Sequence, residues 1–133
     1  MTNYKCGDVV RVKLAGTGHI QSGERYAVIV SNNIGNRNAP IYTIVPFTSK
    51  RKNQSQPTHS VFLAGEGGLP ATSMLLGEQT IVINKEAVIG RVGEFDSSQM
   101  DRVATAIVMT MPVVIKAFKN DIHKTDIFQK ISS

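Results

Sequence analysis

From residue 8 to residue 14 the chain alternates, with Val9, Arg11 and Lys13 on one side of an extended segment and Val10, Val12 and Leu14 on the other. A period of two predicts a half-buried strand with a charged outer face. Two further apolar runs follow, at residues 26–30 and 41–47. Between them lies SNNIGNRNAP, whose Asn, Gly and Pro residues tolerate the backbone angles that reverse a chain, so it reads as a polar turn. Shorter apolar segments at 58–63, 73–76, 79–83 and 88–92 are separated by AGEGGLP, by Gly77-Glu78 and by a turn at 84–87. Seven short strands with this turn spacing predict a small, coiled antiparallel sheet or barrel.

The period changes after residue 95. Asp96 followed by Gln99 is the pattern of a capping box at a helix start. Met100, Val103, Ala104, Ile107, Val108, Met111, Ile115 and Phe118 then recur at the three-and-four spacing of one helix face. Pro112 falls inside this run and predicts a kink or a division of the helix. Residues 119–133 are polar with scattered Ile and Phe, and read as a short extra helix or a frayed tail. The chain is therefore expected to be α+β: one mainly β domain with a C-terminal helix over residues 1–118, then an extension over 119–133.

Composition narrows the class. With 41% apolar residues in 133, a single folded core is expected. One cysteine, Cys6, cannot form an internal disulfide, which fits a reducing cytoplasm. The N-terminus lacks the apolar stretch of a signal peptide, and the uncharged run 103–115 falls short of a membrane span, so a soluble cytoplasmic protein is expected. Charge is uneven. Residues 1–52 carry eight Lys or Arg against Asp8 and Glu24, whereas the other 81 carry seven against eight acids. A basic half on a small domain is the electrostatic footprint of a nucleic-acid binder, although an ordinary solvated surface gives the same count.

If the runs 26–30 and 41–47 pair antiparallel, the start of one lies beside the end of the other. Arg25 and Thr48 then meet at one rim of the sheet. A fixed guanidinium, with five donors in a planar fork, beside a hydroxyl is a place to hold a phosphate. The alternative uses are a salt bridge from Arg25 to Glu24 and a backbone cap by Thr48. The glycine-containing loop 15–24 and the basic loop 49–57 flank this rim. Phe47, Tyr26 and Tyr42 have faces on which bases could stack, but their place in apolar strands favours core packing.

GDVVRVKL, a Gly- and Gln-containing loop ending in GER, AVIVSNNIGN, VPFTS, PTHSVF, SMLLGEQ and the final helix stand in an order that resembles the MazF/PemK toxins. These are ribonucleases of bacterial toxin–antitoxin pairs, and the resemblance covers roughly residues 5–118. It implies a small SH3-like antiparallel barrel of the MazF/CcdB/PemK type. It implies a homodimer and inhibition by an acidic, partly disordered antitoxin segment lying in the RNA groove. It also implies that Arg25 and Thr48 form the central catalytic pair on a single-stranded RNA substrate. The family loop usually reads Gly-Ser-Glu-Gln-Gly-Gly-x-Arg-Pro. Here the glutamate position is Ile20 and the proline position Tyr26, which leaves Glu24 as the nearest acid.

RNA supplies its own nucleophile, the 2′-hydroxyl, so such an enzyme needs proton transfer and donors for the charge that develops on phosphorus, but no cofactor and no metal. An arginine with a pKa above ~12 is a poor base. The proton acceptor is left open among His59, His19 and Arg25 itself; Glu24 adjoins Arg25, but successive side chains of an extended segment point to opposite faces. Lys50, Arg51 and Lys52 are candidate phosphate contacts, with a solvated charge run as the alternative. His19, Gln21, Asn32, Asn36, His59, Ser73 and Gln79 are candidate RNA contacts, the amides and hydroxyls among them by reading base edges, with turn-forming or core roles as the alternative for each.

Cys6, His19, His59 and His123 show no paired spacing of a zinc site. No phosphate-binding Gly-rich loop ending in Lys-Ser/Thr and no Gly-x-Ser-x-Gly elbow occurs. Two other readings stand beside the nuclease. One is a non-catalytic SH3- or OB-like RNA-binding module. The other is a CcdB-like gyrase poison, which depends on a C-terminal tryptophan that this chain lacks, having no Trp. The apolar helix face has more hydrophobic positions than a small barrel needs, and both the core and a dimer interface fit the surplus.

Overall fold

The computed structural model describes residues 3–15 and 23–120. Seven strands and three helices follow in the order β1 (Asp8–Leu14), β2 (Gly23–Ile29), α1 (Asn33–Asn38), β3 (Ile41–Thr48), β4 (His59–Phe62), β5 (Ser73–Leu76), β6 (Ile81–Asn84), β7 (Val88–Glu94), α2 (Ser97–Val108) and α3 (Pro112–Asn120). The sheet runs β4-β5-β3-β2-β1-β7, with β6 also paired to β3, and every pairing is antiparallel. The expected mainly β fold with a C-terminal helix is the fold observed.

Alternation along the strands builds a core on each face of the sheet. Val9, Val28, Val45 and Phe47 pack with Phe62, Leu75 and Phe95 under Val103 and Ala106 of α2. On the opposite face, Val10, Val12, Ala27, Ile29, Tyr42, Ile44 and Ile83 form a second cluster. Strand β1 is thus buried on both faces near its start, and only Arg11 and Lys13 keep the predicted charged face in reach of water.

The sheet is not closed by a ladder. Its two end strands are bridged instead by the glycine turn Glu66–Gly68, which lies against β7. A methyl group on Gly68, whose φ is +80°, would overlap the Val92 carbonyl oxygen, so only glycine lets the turn approach this closely.

Several boundaries differ from the sequence expectation. Gly23–Arg25 belong to β2 rather than to a loop, because Leu14 and Lys13 of β1 pair with Gly23 and Glu24. SNNIGNRNAP contains the short helix α1, capped by the Asn32 side chain, which accepts the Gly35 amide. Gln79 ends a 3₁₀ turn ahead of β6. The Asp96–Gln99 capping box forms as the sequence predicts, and the helix divides at Pro112. On α2 the buried alanine is Ala106, while Ala104 faces solvent. Most of the expected extension, residues 121–133, lies outside the described residues. Among the described residues no helix is long and apolar enough to cross a membrane.

Candidate active site

Strands β2 and β3 pair only from Ala27–Ile29 against Pro46–Ile44. Pro46 has no N–H to give to a ladder. Beyond it β3 continues along β5, with Phe47 opposite Leu75 and Thr48 opposite Met74, while β2 stays with β1 to its first residue. The two strands therefore splay, and the wedge between them is a cleft of about 590 Å³. Its walls are Glu24, Arg25 and Tyr26 from β2 and Phe47, Thr48, Ser49 and Lys50 from the end of β3. Pro70, Ala71 and Ser73 close the far side.

Continuing the Ala27–Pro46 register outward by two residues sets Arg25 level with Thr48. Two-residue alternation puts both on the same sheet face. Both residues line the cleft, at the point where the two strands have separated. Arg25 Nη1 donates to the Glu24 carbonyl oxygen at 2.9 Å. The carboxylate of Glu24 does not take Arg25. Its Oε1 accepts from Arg11 Nη2 on β1 at 2.8 Å, diagonally across the β1–β2 pair. Thr48 Oγ1 accepts the Lys50 amide at 3.2 Å, which leaves its own proton to donate.

Ser73 is buried in the wall, with Oγ donating to the Ala71 carbonyl at 2.8 Å. Lys50 lies at the cleft, and Arg51 continues the exposed basic loop. His59 and Gln79 are not among the residues that line the cleft. His59 Nδ1 lies 2.8 Å from the Asn53 carbonyl oxygen and Nε2 2.7 Å from Glu78 Oε1. Gln79 Oε1 is buried and has no hydrogen-bond partner among the described residues.

Asn32 and Asn36 are not brought here. They sit at the opposite end of β2, where Asn32 caps α1 and the buried Asn36 amide donates to the Ser31 carbonyl and to Asn33 Oδ1. Helix formation in an Asn-rich segment places them there. His19 and Gln21 lie outside the described residues. Tyr42 is core, whereas Tyr26 and Phe47 each pack in the core and present part of their surface to the cleft. Ser49 comes with Thr48 at the end of β3, whereas Pro70 and Ala71 are not legible as site residues, because only the long-range β3–β5 pairing delivers them.

A family model for PemK-like, MazF-like toxins of type II toxin–antitoxin systems matches residues 5–110. The chain belongs to this family. Among its relatives, Endoribonuclease EndoA of Bacillus subtilis (strain 168) is 29% identical over 111 residues, covering 83% of this chain and 96% of its own. The crystal structure of MazF from Deinococcus radiodurans superposes with a TM-score of 0.73 at 18% identity, over 84% of this chain and 99% of that one. A mycobacterial endoribonuclease in complex with its cognate antitoxin superposes at 0.67 with 24% identity, covering 82% and 95%.

Proposed function

We propose that this toxin is a sequence-specific endoribonuclease that cuts single-stranded RNA without a metal, using Arg25 and Thr48. The observation that carries this reading is the wedge between β2 and β3, with a guanidinium on one wall and a hydroxyl on the other. The 2′-hydroxyl beside the scissile phosphate attacks phosphorus. Arg25 holds the non-bridging oxygens and offsets the charge that grows as phosphorus becomes five-coordinate, and Thr48 donates one further hydrogen bond. The bond to the 5′ oxygen breaks, which gives a 2′,3′-cyclic phosphate (or 3′-phosphate) and a free 5′-hydroxyl.

Lys50 and Arg51 bind flanking phosphates, and Ser73, Gln79, His59, Gln21 and His19 contribute to RNA recognition. Asn32 and Asn36 have no part in this proposal, given their place at the far end of β2. An acidic antitoxin segment covering the basic cleft is the natural inhibitor. A second copy of the chain fits the apolar groove of Val108, Ile115 and Phe118, beside which Met111 and Val113 are exposed. The cytoplasm, where messenger RNA is found, is the proposed location.

The test is a mixed-sequence RNA incubated in excess EDTA with its new ends mapped. Cyclic-phosphate ends at a recurrent short motif support the proposal, with Arg25→Ala lowering the rate by about 10²–10³ or more and Thr48→Ala by less. Intact RNA across a wide protein range favours a binding module, and cleavage that disappears on chelation overturns the mechanism.

A further inference from the structure

Arg25 and Thr48 handle the charge on the phosphate but leave the proton of the 2′-hydroxyl without a destination. His59 does not offer one: it does not line the cleft, and its ring nitrogens lie against the Asn53 carbonyl and the Glu78 carboxylate. Among the described residues, the cleft wall holds a single carboxylate, that of Glu24, and no histidine.

Resting on the endoribonuclease reading, we propose that Glu24 is the general base of the reaction. Its side chain is 57% exposed, so a ribose can reach it. Arg11 engages Oε1 only, and Lys13 stands opposite Glu24 in the β1–β2 register. Oε2, which has no hydrogen-bond partner among the described residues, is left to accept a proton.

Alternation sends the Glu24 and Arg25 side chains to opposite faces of β2. The cleft, however, opens at the strand's own end, where β3 has turned away, and a ribose-phosphate lying across that rim meets both. The bond from Arg25 Nη1 to the Glu24 carbonyl ties the phosphate-binding group to the backbone of the base and fixes their relative position.

The step balances without another reagent. Glu24 Oε2 takes the 2′-hydroxyl proton as the 2′ oxygen forms its bond to phosphorus. The phosphorus–5′ oxygen bond breaks with its electron pair on the 5′ oxygen, which takes a proton from water. Protonated Glu24 then returns its proton to the hydroxide so formed.

The experiment is single-turnover cleavage of an RNA carrying the mapped motif, beside affinity for the same oligonucleotide with a 2′-deoxy residue at the cut. Glu24→Gln is expected to lower the cleavage rate by about 10²–10⁴, with little change in affinity for the deoxy analogue. Glu24→Asp should recover part of the rate. Arg11→Ala, which removes the ion pair but leaves the carboxylate, should cost less than tenfold. Glu24→Gln cleaving like the wild type overturns the assignment. So does an equal loss in Glu24→Gln and Arg11→Ala, which would mean that the carboxylate serves only the strand pair. Wild-type protein that leaves every RNA intact brings down the endoribonuclease reading, and this assignment with it.

Discussion

Arg102 Nη1 on α2 donates to Glu66 Oε1 at 3.0 Å, in the glycine turn that bridges the two ends of the sheet, and the same guanidinium lies 3.9 Å over the Phe62 ring. It also donates to the Val61 carbonyl. One arginine thus ties the helix to β4 and to the turn. Glu66 accepts in addition from the Leu63 amide at 2.7 Å and from Gln99 Nε2 at 3.2 Å. Burial alone would raise this carboxyl, but the hydrogen bonds from Leu63 and Gln99 and the charge and hydrogen bond of Arg102 outweigh it, and its pKa lies below the ordinary value.

The sign of the pH dependence follows. A carboxyl with a lower pKa in the folded state adds stability that is complete above the unfolded pKa and is lost as pH falls through the folded one. Melting temperature should therefore drop on acidification through the carboxylate range, and Glu66→Gln should flatten part of that drop while lowering the plateau near neutrality. Arg102→Ala should destabilise by about 1–2 kcal/mol, a charged hydrogen bond discounted for the half-exposed arginine. Thermal melts across pH check both. An unchanged acid limb in Glu66→Gln would remove Glu66 from the account.

Closure of the sheet by a glycine turn is tested by two substitutions that differ in a single respect. Gly65 and Gly68 both have positive φ, +95° and +80°, but a side chain at Gly65 meets nothing within 4 Å, whereas at Gly68 it strikes the Val92 backbone. Gly65→Ala should cost about 1–2 kcal/mol of backbone strain alone. Gly68→Ala should cost that and roughly 1–3 kcal/mol more for the overlap. Denaturant unfolding of the two variants measures the difference, and equal costs would mean that the turn can draw back from β7 freely.

Much of this arrangement is legible in the sequence because it is local. Period-two alternation marks β1, and Asp96 with Gln99 marks the start of α2. The nearness of Arg25 and Thr48 is legible one step further, since it needs only that two adjacent apolar runs pair antiparallel. What is not legible depends on contacts distant in the chain. The bifurcation of β3, which leaves β2 for β5 at Pro46, creates the cleft and brings in Pro70 and Ala71. The asparagines of 32–38 looked like turn residues, and fold a helix because their side chains cap and cross-link it. The ion pair of Glu24 skips the neighbouring arginine for Arg11, a choice set by the β1–β2 register.

Asn36 is 1% exposed, and its amide group bonds with Ser31 and Asn33. Asn36→Ala leaves those partners unsatisfied and should destabilise the fold by about 1–3 kcal/mol. Because the residue lies at the far end of β2, cleavage measured well below the melting temperature should keep its rate and its motif. A shifted motif in that variant would place α1 on the RNA path.

The basic loop after β3 separates affinity from chemistry. Lys50 lines the cleft, and Arg51 and Lys52 are exposed in the same segment with no carboxylate paired to them among the described residues. Each phosphate they neutralise on a single strand releases counterions, so log affinity falls with log salt by about 0.7 per contact. Arg51→Ala with Lys52→Ala should therefore weaken RNA binding most at low salt and reduce the salt slope by about 1.4. The single-turnover rate at saturating RNA should hold, because neither side chain borders the cleft that holds Arg25 and Thr48. A fall in that rate with an unchanged slope would reverse the assignment and make the loop part of the chemistry.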